Sequence, residues 1–132
     1  MNFFFRSYIF FDIYYKKFFE GSVKIMHSLK NYDDIKFAIR CVDVWKNIKP
    51  SDEELNNVLG QEKELNNGEE AKSIICQPLQ DYLEMLIALI HEETGEWFFY
   101  VDIAGILHDF VKSGDVSVYI TESGYCVCFE NK

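Results

Sequence analysis

Three histidines, four cysteines and 22 carboxylates are the side chains of this 132-residue chain with the range to do chemistry. Their spacing decides which chemistry is open to them. His91-Glu92-Glu93-Thr94-Gly95 starts as a helical two-histidine zinc site would, but Gly95 stands where the second imidazole is needed. No pair of imidazoles then faces a metal from adjacent turns. His108 and Asp109 adjoin in sequence, yet neighbours on a helix point about 100° apart, so spacing alone makes no dyad of them. The simpler reading of His108 is a polar-face residue near a helix end. Cys126 and Cys128 share one face of a strand and could hold a soft metal with His27, His91 or Cys76. Structural zinc sites, however, come as paired cysteine knuckles, and two small residues facing a helix explain the spacing as well. There is no Gly-x-Ser-x-Gly nucleophile elbow and no glycine-rich phosphate loop. The expectation is therefore no metal and no cofactor. An acid–base pair drawn from the scattered carboxylates stays open, because one sequence does not say which two converge.

Those carboxylates carry the strongest signal. The formal charge is −9, which speaks against direct nucleic-acid binding, since that needs a basic face to displace counterions. The charge is also uneven. Residues 51–70 hold seven acids against Lys63, a net of −6. From Ser73 to Val111 there is no Lys or Arg at all, and seven acids give a net of −7. Ordinary surfaces intersperse both signs, so an uncompensated stretch of this length implies a one-signed field on part of the surface. Such a field steers and selects a basic partner; the plainer alternative is a solvated acidic surface. The candidate partner-binding pool is Glu53, Glu54, Asp81, Glu84, Glu92, Glu93, Glu96, Asp102 and Asp109.

The elements that must position these acids follow from periodicity. Ile35, Ala38, Ile39, Val42, Trp45 and Ile48 recur at helical spacing, predicting an amphipathic helix that ends before Pro50. Ser51 with Glu54 three residues on predicts a capped second helix that stops at Gly60. Residues 61–70 read as a solvated loop or frayed helix. Pro78 suits a first helical turn, and Leu79 to Ile90 are apolar on most sides, predicting a central helix that Gly95 ends. Trp97-Phe98-Phe99-Tyr100-Val101 reads as a short strand with aromatics on both faces, sandwiched between layers or with one face kept for a partner. Asp102 is expected to cap a further helix that closes at Gly114. Val116, Val118 and Ile120, then Tyr125, Val127 and Phe129, alternate across a turn at Thr121–Gly124, predicting a C-terminal hairpin. The expected fold is α+β: several amphipathic helices packed on a small, mainly antiparallel sheet that ends in that hairpin.

One division is expected, between an aromatic-rich segment 1–25 and a single domain 26–132. Residues 1–20 hold ten of the 22 aromatics. Three readings compete for them: a core helix, an interfacial helix on a membrane or partner, or a translated leader with Met26 as the true start. Asp12, Lys16, Lys17 and Glu20 interrupt the run, so it makes a poor signal peptide. No stretch approaches the roughly 18 apolar residues of a membrane span. With 48% apolar residues the chain has no need of disulfide staples. A cytoplasmic protein is expected.

In size, in the acidity of blocks 51–70 and 73–111, and in its Phe, Tyr, Ile, Lys and Asn richness, the chain resembles the immunity proteins of bacterial contact-dependent growth inhibition and related toxin systems. That likeness is of class, with no diagnostic motif and no residue to carry over. It implies a cytosolic antidote that binds a delivered toxin domain, often a nuclease, and covers its active site or a neighbouring surface. Other classes stay in view. Type III secretion chaperones are also small, acidic and α+β, but they generally finish with a helix where this chain has the hairpin Asp115–Glu130. A small enzyme would need two acids, or His108 with an acid, to converge in a pocket. Membrane attachment would run through residues 1–20.

Overall fold

The structure, a computed structural model, describes residues 26–131. The expectations for segment 1–25 and its boundary lie outside the described residues. The elements are β1 (Met26–Ser28), α1 (Tyr32–Arg40), α2 (Asp52–Leu59), α3 (Glu62–Leu65), β2 (Ser73–Pro78), α4 (Leu79–Thr94), α5 (Tyr100–Ser113), β3 (Val116–Thr121) and β4 (Tyr125–Glu130). The fold is α+β, as the sequence predicts.

The hairpin is the organising element. β3 and β4 pair antiparallel with Val118 opposite Cys128 and Ile120 opposite Cys126. β2 then adds antiparallel to the far side of β4, with Ile75 opposite Cys128, and β1 adds to β3, giving the order β1-β3-β4-β2. β4 is thus a central strand, and it is buried on both faces from Tyr125 to Phe129. One face presents Val116, Val118, Ile120, Cys126 and Cys128 to a core built with Leu79, Tyr82, Leu83 and Leu86 of α4, Ile103, Ala104 and Leu107 of α5, and Ile35, Ala38 and Ile39 of α1. The other face presents Val127 and Phe129 to Leu55 and Val58 of α2 and Leu65 of α3. A strand with period two has supplied two separate cores, so the architecture is three layers, helix–sheet–helix.

Local caps and glycine turns bound these elements. Asn31 caps α1, its Oδ1 accepting from the Asp34 amide at 2.8 Å. Ser51 Oγ accepts from the Glu54 amide at 3.2 Å and caps α2. Gly95 ends α4 at φ +76°, a left-handed conformation that a side chain would resist. Gly124 turns the hairpin at φ +88° with the Trp45 ring packed against it, where an added Cβ would lie 2.6 Å from three Trp45 carbons.

Three expectations are corrected. The first helix stops at Arg40 rather than running to Ile48; turns at Cys41–Val44 and positive φ at Asn47 swing Trp45 under the hairpin instead. Trp97–Val101 is not a strand: 96–99 has no regular secondary structure and Tyr100 opens α5. Asp102 is not the first cap residue but lies three residues inside it, its carboxylate accepting from the Phe99 amide at 3.3 Å. The segment 61–70 contains the single turn α3, and Asn66 after it is fully buried. Asn66 Nδ2 donates to Asn131 Oδ1 and the Glu69 carbonyl, while its Oδ1 accepts from Ser117. That network pins the loop to the sheet and satisfies a polar group that would otherwise destabilise the core.

Candidate functional site: an acidic aromatic surface

All nine acids of the predicted pool are exposed. The structure does not bring them onto one face. Glu53 and Glu54 lie in the first turn of α2, in the layer below the sheet. Asp81, Glu84, Glu92 and Glu93 on α4, Glu96 in the α4–α5 loop, and Asp102 and Asp109 on α5 lie in the layer above it. The base-free stretch 73–111 is therefore β2 followed by two neighbouring helices that share one core.

Within that layer, the segment from Glu92 to Asp102 differs from the rest of the surface. It carries Glu92, Glu93, Glu96 and Asp102, all exposed, and between them Trp97, Phe99 and Val101 at 68%, 79% and 63% exposure. The intervening Phe98 and Tyr100 turn inward and pack against the core. From Trp97 through the first turn of α5, alternate side chains are anchored and exposed. The expectation of a sandwiched aromatic run fails here. No second layer covers Trp97 and Phe99 among the described residues.

The surface is held from below. The Trp97 indole stacks on the His91 imidazole of the last turn of α4, with ring centroids 3.6 Å apart and planes 11° apart. Tyr100 Oη donates to Glu84 Oε1 at 3.2 Å, tying the start of α5 to the middle of α4. Burial first, and that bond to a carboxylate second, push the Tyr100 hydroxyl above its ordinary range. Gln80 Nε2 reaches the same carboxylate oxygen at 3.4 Å. Glu84 is thereby a tie between helices as well as a surface charge. Exposed aromatics flanked along the chain by exposed carboxylates, with Trp97 held on His91, are suited to binding.

The residues considered for chemistry separate. His91 is under Trp97, and His108 meets the Tyr32 ring edge-on at 5.8 Å. Cys126 and Cys128 face the helices, buried, with Cys128 Sγ 3.2 Å from the Tyr82 hydroxyl. Burial pushes the Cys41 and Cys128 thiols up to about 12 and raises Cys126 further. All four cysteines are unpaired. Among the described residues, no three of His, Cys, Asp and Glu gather as metal ligands, and no helix is long and apolar enough to cross a membrane.

No protein-family model, no curated protein and no solved structure matches the chain.

Proposed function

We propose that this chain is a small acidic binding protein of the cytosol that neutralises a basic partner, acting as an immunity protein that inhibits a bacterial toxin domain, with a nuclease as the expected toxin. The observation that carries this reading is the segment 92–102, where Trp97, Phe99 and Val101 stand exposed between Glu92, Glu93, Glu96 and Asp102 in a stretch free of Lys and Arg. Aromatic side chains at the centre of a contact supply most of its binding energy once water is excluded around them. Carboxylates around such anchors accelerate encounter with a basic surface and select it over others. A cleft that binds nucleic acid is basic because it receives phosphates, so carboxylates on a rigid support fit it by charge. Four unpaired thiols suit a compartment that keeps cysteines reduced.

The test is capture with the tagged full chain from lysate of the source cells at low and high salt, followed by purification of the captured protein and an inhibition assay. The reading expects a stoichiometric basic protein whose binding weakens with salt and whose activity the chain blocks. A captured protein that is not basic, or whose activity the chain leaves intact, contradicts it. A dimer of this chain holding an unfolded secreted segment would instead support the chaperone class.

A further inference from the structure

A second site lies at the other end of α5. Where the chain leaves β1, a cavity of about 270 Å³ opens between the edge of β3, the last turns of α5 and the loop after α3. Lys30, His108 and Lys112 line it, and among the described residues no Asp or Glu does, in a chain whose formal charge is −9. Neither Lys30 nor Lys112 has a carboxylate within ion-pair distance among the described residues. Asn67 and Ser117 add neutral polar groups, while Leu29, Val111 and Val118 supply apolar walls.

We infer that this cavity binds a small organic anion, a phosphate or carboxylate group carried on an apolar body about the size of one ring. Lys30, Lys112 and His108 line one cavity, and an anion held there by the two lysines gains charge-assisted hydrogen bonds that water alone supplies more weakly. The volume limits the body, since about 270 Å³ lies just under the roughly 300–1,000 Å³ range of pockets for drug-sized ligands. The walls are rigid on the sheet side. Ser117 Oγ donates to the buried Asn66, and Tyr119 Oη donates to the Leu65 carbonyl at 2.6 Å, fixing the loop that carries Asn67. Lys112 lies ten residues along α5 from Asp102, roughly 15 Å at the helical rise, so the cavity is separate from the acidic aromatic surface.

Titration of the full chain with phenyl phosphate, benzoate and benzyl alcohol, followed by amide chemical shifts, tests the inference. Phenyl phosphate or benzoate should saturate with a dissociation constant of about 1 mM or tighter, moving the amides of Ser117, Val118 and Lys112. The tighter of the two identifies the anionic group, and neutral benzyl alcohol should bind about tenfold more weakly. Lys30→Met and Lys112→Met, both at exposed side chains, should each weaken anion binding several-fold, with an unchanged melting temperature showing an intact fold. Absence of saturation by both anions at about 20 mM, or binding that survives removal of both lysines, overturns the inference.

Discussion

The imidazole of His91 lies flat beneath the indole of Trp97, 3.6 Å away centroid to centroid. This contact fixes an aromatic side chain that is still 68% exposed. A side chain held in its binding geometry before the partner arrives has less rotational freedom to lose on association. His91→Ala should therefore leave the melting temperature within a few degrees and weaken partner binding about two- to fivefold. Calorimetric titration with the captured partner measures it.

Trp97→Ala and Phe99→Ala should separate binding from folding more sharply. Both rings project from a segment whose alternate residues are the ones in the core. Each truncation should weaken binding by tenfold or more, about 1.4 kcal/mol at least, while urea unfolding changes little. Truncation of Phe98 should do the reverse, lowering stability first.

Gly124→Ala should be severe. The new Cβ would meet the Trp45 ring at 2.6 Å on a backbone at φ +88°, so both sterics and backbone conformation oppose it. A loss of about 2–4 kcal/mol in urea unfolding is expected.

The buried thiols set an alkaline limit. Burial pushes the Cys41 and Cys128 thiols up to about 12, against 9.0 for a free thiol. The unfolded chain therefore loses these protons first, and stability that is complete below pH 9 falls as pH rises from 9 towards 12, by about 1.4 kcal/mol per pH unit for each such thiol. Replacing Cys128 with Ala should flatten this slope in unfolding measured from pH 8 to 10.5. Thiol labelling of the native chain at neutral pH should reach the half-buried Cys76 ahead of Cys41, Cys126 and Cys128.

How much of this was legible in the residues differs from element to element. The hairpin was legible because Val116-Val118-Ile120 and Tyr125-Val127-Phe129 alternate around a glycine turn, and period two leaves one register that buries both faces. The α2 cap was legible because it is local. β2 was not: Ser73-Ile74-Ile75-Cys76-Gln77-Pro78 is short, lacks alternation and ends in a proline that already suits the next helix, and its partner strand β4 lies some fifty residues on. β1 is three residues long and is defined only by pairing with β3. The aromatic run 97–101 has the composition of a strand, but no neighbouring strand offers it a ladder, so 97–99 is coil, Tyr100 and Val101 join α5, and Trp97, Phe99 and Val101 are exposed. Likewise, the sequence showed which residues were acidic but not that the sheet separates Glu53 and Glu54 from the other seven. The cavity between Lys30 and Lys112 depends on contacts 82 positions apart and left no local trace.

On the proposed function, the surface at 92–102 recognises a basic partner through exposed aromatics flanked by carboxylates. The most direct measurement is the association rate of the captured partner with the wild-type chain and with the Glu92→Lys, Glu93→Lys, Glu96→Lys triple variant, across a range of salt concentrations. The wild-type rate should fall steeply with salt, and the variant rate should be at least about tenfold lower at low salt, with a flattened dependence and an unchanged melting temperature. Equal rates and equal salt slopes for the two proteins would contradict it.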